Sequence, residues 1–287
     1  MDINFLSSHN NPEPENSVLY LVGTPIGNLN DISLRALNIL KNVSLIACED
    51  TRQTKKLMQN FQISNHLISF NKHNSFKRIP SIIDKLKSGE SVAIVSDAGL
   101  PSICDPGEDL VKAVKINGLN VICIPGPCAA LTALVSSGLP SSKFTFHGFL
   151  PKKKKEREGI LMEIKNSDKT SILFESPHRL KKLLIELKEY FGCQREIQIY
   201  RELTKKFEEN IGSNLEMILD FFEDKEVIGE ITLVIKGENS LRNLEFDKYK
   251  LEKELKELIE AGLSLSAASK YLAKKNNLKK SIIYKMY

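Results

Sequence analysis

The sequence predicts an α/β protein of two α/β lobes in series, followed by a small all-helical module. Three observations carry this. Short apolar runs of strand length alternate with stretches of helical spacing from Val18 to about Pro127, a second alternating set runs from Phe144 to Gly237, and from about Leu241 the apolar pattern is helical only. Strands alternating with helices imply parallel βαβ units, and two lobes in series leave a cleft between them, a favoured place for a ligand. The 287 residues suffice for two ordinary domains and an appendage. The expected division is an extension (1–16), a first lobe (17–127), a second lobe (128–240) and the helical module (241–287).

Residues 1–16, rich in Asn, Ser and Pro and without periodicity, are expected to be disordered. Strand runs of the first lobe are Val18 to Val22, Ser44 to Ala47, His66 to Phe70, Ser91 to Val95 and Val121 to Ile124. Between them Leu34, Leu37, Ile39 and Leu40, and later Ile82, Ile83 and Leu86, have helical spacing. The small apolar stretch Ala129 to Ser137 predicts a helix that links the lobes and packs closely. In the second lobe, strands are expected at Phe144 to Leu150, Ser171 to Phe174, Glu196 to Tyr200 and Ile231 to Ile235, with a helix over Leu180 to Tyr190. In the module, a charged amphipathic helix from Tyr249 to Ala261 is broken by Gly262, and Ser264 or Ser266 caps the next. Ala267, Ala268, Tyr271 and Leu272 lie on one face of that helix, and Asn276-Asn277 supplies a turn before Ser281 to Tyr287. The form resembles a helix-turn-helix, which is weak as a DNA-reading signal because many compact helical pairs share it.

Composition narrows the class. The chain is 41% apolar and 27% charged, as globular proteins are. No apolar run reaches the roughly 20 residues that span a bilayer, and the N-terminus lacks the basic-then-apolar form of a signal peptide, so a soluble cytoplasmic protein is expected. Five cysteines without a Cys-x-x-Cys pair suggest neither a disulfide framework nor a zinc site. The net charge of +5 is unevenly spread: residues 261–287 hold six lysines (Lys270, Lys274, Lys275, Lys279, Lys280 and Lys285) and no acidic side chain. Lys152, Lys153, Lys154, Lys155 and Arg157 form a second basic cluster. Such patches attract phosphate backbones; the competing reading is a solvated face or a linker.

The motif with most to say about chemistry is Val95-Ser-Asp-Ala-Gly-Leu-Pro-Ser-Ile-Cys-Asp-Pro-Gly107, a loop that follows a strand and that no packing argument requires. Gly99 and Gly107 permit close backbone approach, Pro101 and Pro106 stiffen the loop, and Asp97 stands just past the strand end, where ligands bind in open parallel sheets. Four further segments of similar character are Gly23-Thr-Pro-Ile-Gly-Asn-Leu-Asn-Asp31, Ala47-Cys-Glu-Asp-Thr-Arg52, Ile124-Pro-Gly-Pro-Cys-Ala-Ala130 and Phe174-Glu-Ser-Pro-His-Arg179. The Gly23 to Gly27 spacing fits neither a dinucleotide fingerprint nor a Walker A loop, and alone it reads as a tight strand-to-helix turn. There is no metal-ligand spacing and no hydrolase elbow.

As an ordered set, over roughly residues 17–287, the five segments resemble the ribosomal RNA small-subunit methyltransferase I family. That family is the ribose 2′-O-methylating branch of the tetrapyrrole-methylase-like S-adenosylmethionine enzymes. The resemblance implies two lobes of the tetrapyrrole methylase type, S-adenosylmethionine as cofactor, and a cytidine in the decoding region of 16S ribosomal RNA as target, in the small ribosomal subunit. It also implies a homodimer. Carried over onto this chain, Pro25, Asp31, Asp97, Ala98, Gly99, Pro101, Ser102, Ile103, Pro127, Cys128 and Ala129 border the donor, with Phe174, Glu230 and Thr232 as further neighbours. For Cys128 and Ala129, close helix packing is a parallel reading.

Methyl transfer to a ribose hydroxyl needs positioning above all, and a base adds to it. Glu175 or Glu49 is expected to polarise the hydroxyl, while Arg52 and Arg179 hold phosphates. A structural reading stands beside this, in which Glu49–Arg52 and Glu175–Arg179 are local salt bridges. The two basic clusters would grip RNA. Two other functions remain open: a tetrapyrrole C-methylase of the same fold, and a non-catalytic ribosome-binding factor with a vestigial pocket.

Overall fold

The structure is a computed structural model that describes residues 13–238, 251–276 and 280–287. It divides into two compact units, one running to Met162 and including Thr170–Lys236, the other made of Glu163–Lys169 and Gly237–Tyr287.

Both sheets lie in the first unit. Its N-terminal half runs β1 (Val18–Val22), α1 (Leu34–Asn42), β2 (Leu45–Cys48), α2 (Thr51–Asn60), β3 (Leu67–Ser69), α3 (Ser75–Lys87), β4 (Val92–Val95), α4 (Glu108–Ile116) and β5 (Asn120–Ile124). The strands form one sheet in the order β3-β2-β4-β1-β5, and every pair is parallel. Apolar residues on both faces of each strand explain why helices must cover both sides. Val18, Tyr20 and Val22 pack with Ala36, Ile39 and Leu40 of α1 on one side. Leu19 faces the other, with Ile82 and Leu86 of α3 and Leu110 and Val114 of α4. Helix starts are fixed by side-chain caps: Ser33 accepts the Ala36 N–H at 3.0 Å and Asp50 the Arg52 N–H at 2.8 Å.

The C-terminal half continues α5 (Ala129–Ser136), β6 (Phe144–Phe149), α6 (Lys154–Asn166, of which the residues from Glu163 on belong to the second unit), β7 (Thr170–Glu175), α7 (Pro177–Phe191), β8 (Glu196–Arg201), β9 (Glu209–Asn214), α8 (Leu215–Phe222) and β10 (Ile231–Ile235). Here the order is β6-β7-β10-β8-β9, with only β6 and β7 parallel. The linking helix α5 does pack closely: Ala130, Ala133 and Leu134 join Ile172, Tyr200 and Val234 of the second sheet in one core. Leu180, Leu183, Leu184 and Leu187 of α7 are fully buried.

Three expectations change. Residues 13–16, expected in a disordered extension, are held: the Glu13 carboxylate accepts from Arg35 Nε at 2.7 Å, its carbonyl accepts from Asn38 at 3.2 Å, and the Glu15 N–H donates to the Tyr20 hydroxyl at 2.7 Å. These contacts hold residues 13–16 against the first lobe; residues 1–12 lie outside the described chain. The Lys152 to Arg157 cluster is no linker, because it opens α6. The strand β9 and helix α8 were not expected at all.

The second unit contains α9 (residues 251–260), α10 (Leu265–Lys275) and α11 (Lys280–Tyr284). Leu251, Leu255, Ala268, Leu272, Ala273 and Ile283 form its core. Of the two candidate caps, Ser264 is the one used, accepting the Ala267 N–H at 3.3 Å. Gly262 adopts φ +96°, the left-handed conformation that ends the preceding helix. Lys279 lies outside the described residues.

Candidate functional site

The carboxyl ends of the parallel strands bring the sequence motifs together. Thr24, just past β1, exchanges two backbone hydrogen bonds with Gly99 in the loop after β4 (2.9 and 3.1 Å). Its hydroxyl donates to the Ser96 carbonyl at 3.3 Å. Gly23 and Gly126 lie so close that a Cβ on either would sit 2.8 Å from the other's Cα; this pair is where glycine is required. The Asp50 N–H, past β2, donates to Asp97 Oδ1 at 3.1 Å. In the long loop Gly99, Ser102, Cys104 and Gly107 all have positive φ (+80°, +72°, +67° and +148°). For Ser102 and Cys104 this is uncommon and strained, a condition that clusters at functional sites.

The second lobe closes on this loop. A register shift in β6 at Phe146/Gly148 bends the strand, and a Cβ on Gly148 would come within 2.8 Å of Cys104 Sγ. Phe174 at the end of β7 packs edge-on against Phe146 and Phe149, with centroids 5.0 and 5.7 Å away. Between the lobes lies a cavity of about 490 Å³. Glu49, Asp97, Ala98, Gly99, Ile103, Cys128, Ala129, Phe174, Glu175, Glu230 and Thr232 line it, as do Ile26, Cys104, Asp105 and Phe149. A second cavity of about 260 Å³ adjoins it, lined among others by Pro25, Gln53, Lys56, Asn60 and Lys205.

Charge in the main cavity is acidic. Burial, then the neighbouring charges of Asp105 and Asp97, pushes the Glu49 carboxyl above its usual range, against the opposing pull of Lys72. Burial likewise raises Asp97 and Asp105; the Asp50 N–H opposes it at Asp97, and Ser96 and Lys72 at Asp105. Glu175 is a different kind of carboxylate. Its side chain is wholly buried. Oε1 accepts from Arg179 Nε at 2.7 Å and from the Ser176 N–H at 2.7 Å, with Arg179 Nη2 at 2.6 Å. Oε2 is buried with no hydrogen-bond partner among the described residues. Such an atom costs folding free energy unless a ligand donates to it.

The remaining sequence-expected residues fall elsewhere. Pro25 borders the adjoining cavity, while Asp31 is exposed in the 3-10 turn Leu29–Asp31. Pro101 is buried inside the loop, Ser102 faces a separate hollow beside α4, and the Pro127 carbonyl lies against Gly99. Arg52 borders a third hollow along α2. The salt-bridge reading is half right: Arg179 does pair with Glu175, but Arg52 pairs with Asp50 (Nη2 to Oδ2, 2.6 Å) and not with Glu49. The reason is local, because Asp50 caps α2 and faces the first turn while Glu49 precedes it. Asp50 is held down to about 2 by its hydrogen bonds from Arg52.

Among the basic residues, Arg157 is taken by Glu186 at 2.6 Å in a largely buried pair, which removes it from any exposed patch. Lys153 and Lys154 pair with Glu156 and Glu158 on the surface, and Lys152 and Lys155 are exposed. In the second unit Lys275 pairs with Glu254 at 2.9 Å, Lys280 donates to Ser266 at 2.7 Å, and Lys270 and Lys274 are exposed. Sequence reasoning missed Ile26, Cys104, Asp105 and Phe149 as lining residues. Cys104 and Asp105 lay within the quoted loop, so their position was a usable signal; Phe149 carried none, because the bulge that turns it is a tertiary feature.

Residues 18–218 match the family Tetrapyrrole (Corrin/Porphyrin) Methylases. The chain is 41% identical to "Ribosomal RNA small subunit methyltransferase I" of Synechocystis sp., over 94% of this chain and 96% of the relative. It is 42% identical to the protein of that name in Bacillus subtilis, over 96% of each. Among solved structures, a cobalt precorrin-4 methyltransferase of cobalamin biosynthesis superposes with a TM-score of 0.59 at 14% identity, covering 77% of this chain and 95% of that one. The uroporphyrin-III-C-methyltransferase of Thermus thermophilus does so with a TM-score of 0.53 at 19% identity, over 77% and 94%. At those identities the two structures speak for the fold alone. The match over most of the chain and the near full-length identity to these relatives together mean that this protein belongs to the ribosomal RNA small subunit methyltransferase I family, within the tetrapyrrole methylases.

Proposed function

We propose that this protein transfers a methyl group from S-adenosylmethionine to the ribose 2′-hydroxyl of a cytidine in the decoding region of 16S ribosomal RNA. The observation that carries the reading is the convergence, on one cavity of about 490 Å³, of loop residues from both lobes in a chain whose relatives over nearly its full length are named ribosomal RNA small subunit methyltransferase I.

The cavity suits the donor. S-adenosylmethionine presents an ammonium, a ribose diol and a purine amine as hydrogen-bond donors, beside a carboxylate, a positively charged sulfonium and the flat face of the purine. The site offers the unpartnered buried Glu175 Oε2, the rim carboxylate of Asp97 and an apolar lining from Ile26, Ile103, Phe174 and Ile231. When bound, the donor supplies an electrophilic sulfonium methyl with a good leaving group.

The chain's own part is to orient and to take a proton. Glu49 suits proton removal, because a carboxylate raised by burial and by neighbouring acids is a stronger base than one in water. Glu175, pinned by Arg179 and the Ser176 N–H, suits holding a hydroxyl or N–H at a fixed position. Arg52 and Arg179 would meet phosphates, Arg52 with its side chain 85% exposed and Arg179 while still bound to Glu175. Lys152 to Lys155 and the exposed lysines of α10 would add longer-range attraction to RNA. A homodimer in the cytoplasm, acting on the small subunit, is part of the same proposal.

The test is transfer of labelled methyl to unmethylated small ribosomal subunits, naked ribosomal RNA and a tetrapyrrole precursor in parallel, followed by nucleoside analysis. Labelled 2′-O-methylcytidine is the expected product. Label in the tetrapyrrole alone would move the protein to carbon methylation, and donor binding without transfer to any of the three would point to a non-catalytic role. Replacing Glu49 and Glu175 one at a time by Gln tests the proton step: full turnover by both at saturating donor would remove these two from it.

A further inference from the structure

We infer that one face of α2, carrying Gln53, Lys56, Leu57 and Asn60, forms the subsite that receives the target nucleotide of a single-stranded RNA; this rests on the methyl-transfer reading above. Transfer requires the acceptor oxygen roughly 3–3.5 Å from the methyl carbon. The chamber for the nucleotide must therefore share a wall with the chamber for the donor. The cavity of about 260 Å³ meets that condition, since Ile26, Asp97, Ala98 and Glu230 line both it and the main cavity. The hollows beside the outer edge of α2 and beside α4 share no lining residue with the main cavity. Its volume falls below the roughly 300–1,000 Å³ of sites for drug-sized ligands, a size for one base or sugar and not for a duplex.

The helix supplies the chemistry. Gln53, Lys56, Leu57 and Asn60 stand at i, i+3, i+4 and i+7, hence on one face; buried Thr54 lines the cavity beside them, while Met58 on the other side packs into the core of the first lobe. A carboxamide both donates and accepts, which is what the Watson–Crick edge of an unstacked base demands. The Asn60 amide nitrogen donates to the Lys56 carbonyl at 3.0 Å, which leaves its Oδ1 to accept from an exocyclic amine. Gln53 is exposed and can use both ends of its amide. Half-buried Leu57 gives the base an apolar contact between them. Lys205, across the cavity, is held by Glu202 and Glu230 at 3.0 Å each, so among the described residues lining it Lys56 is the cation left for a phosphate. The base enters splayed from its strand, the usual way RNA sequence is read.

Full-length Gln53→Ala, Lys56→Ala and Leu57→Trp proteins test this, with demethylated donor as the binding probe and unmethylated small-subunit ribosomal RNA as substrate. Gln53→Ala should raise the KM for RNA roughly tenfold. Lys56→Ala should flatten the dependence of log Kd on log salt by about 0.7, and Leu57→Trp should fill the cavity and block RNA turnover. All three should keep the wild-type affinity for the demethylated donor and the wild-type Tm, which separates a blocked subsite from unfolding. If the wild type methylates RNA and the three variants keep its KM within about twofold, the assignment is overturned. If the wild type methylates no RNA, the methyl-transfer reading itself fails and this assignment falls with it.

Discussion

Replacing Arg179 by Ala would isolate the role of the buried carboxylate. In the native protein Glu175 Oε1 receives the Arg179 guanidinium and the Ser176 N–H, while Oε2 receives nothing from the described residues. Removing Arg179 leaves a fully buried negative charge with a single neutral donor. Breaking a buried ion pair from one side costs about 3–5 kcal/mol. The lower end applies here, about 3 kcal/mol, because Arg179 is 31% exposed and water can follow the vacated guanidinium. For a unit of this size, 1 kcal/mol moves Tm by roughly 2–4 °C, so a fall of about 6–12 °C is expected. The sharper comparison is with the double variant Glu175→Gln, Arg179→Ala, which carries no buried charge and should recover about 1 kcal/mol or more of the loss. Thermal and urea unfolding of the wild type, both single variants and the double variant complete the cycle. An Arg179→Ala protein melting within 2 °C of wild type, at about that precision, would refute the reasoning. So would a double variant less stable than Arg179→Ala alone.

Other perturbations follow from the same geometry. Glu49 carries a raised pKa in the fold, so its ionised form penalises the folded state above that pKa and the penalty vanishes as pH falls toward its usual value of 4.5. Glu49→Gln should therefore unfold at higher urea than wild type at pH ~7 and at the same urea near pH ~4, and the acid limb of kcat should disappear with it. Gly126→Ala places a methyl 2.8 Å from the Gly23 backbone, and neither chain can yield, so overpacking of about 1–3 kcal/mol is expected in urea unfolding. Lys270→Gln with Lys274→Gln removes two exposed cations of α10, and the salt dependence of RNA binding should flatten by about 1.4 in log–log slope. Lys275→Gln, already paired with Glu254, should change it less.

Where pattern and burial coincide, the sequence is readable. β1 and β4 are apolar on successive residues because both faces of a parallel sheet are covered, and their limits fall where the runs end. The loop after β4 was legible because its glycines and prolines have no packing purpose. β9 was not legible: Glu-Asn-Ile-Gly-Ser-Asn has a single buried residue, Ile211, and becomes a strand only by pairing along β8 at the sheet edge. α6 was masked by its lysine run, since charge dominated a segment whose Leu161 is buried. The partner of Arg52 depended on which residue caps α2, and a shift of one position exchanges Asp50 for Glu49. Sequence spacing alone is too coarse for that choice.

The placement of the acids follows from how the two lobes divide the work. A parallel sheet puts its loops at one edge, and two of them bring Glu49, Asp97 and Asp105 near each other; burial raises all three, and neighbouring acids add to it, Asp105 and Asp97 at Glu49, Asp50 at Asp97 and Asp97 at Asp105. The second sheet contributes Glu175, seated at the end of a strand paired with β10 and bound on one oxygen by Arg179 and the Ser176 N–H. One lobe thus holds acids poised to take up protons, and the other a fixed hydrogen-bond acceptor. On the proposed mechanism, a cleft that combines the two orients a hydroxyl from one wall and deprotonates it from the other, which gives residues of both lobes a part in one cavity. Disconnecting the lobes' approach should therefore damage turnover more than donor binding. Gly148→Ala is the variant that does so, since its Cβ would press on Cys104 Sγ at 2.8 Å and its φ of +62° disfavours any side chain. A fall in kcat of tenfold or so, on the order of 1.4 kcal/mol in the barrier, with a smaller change in donor Kd is expected. Equal losses in both would mean that the cleft acts only as a donor pocket.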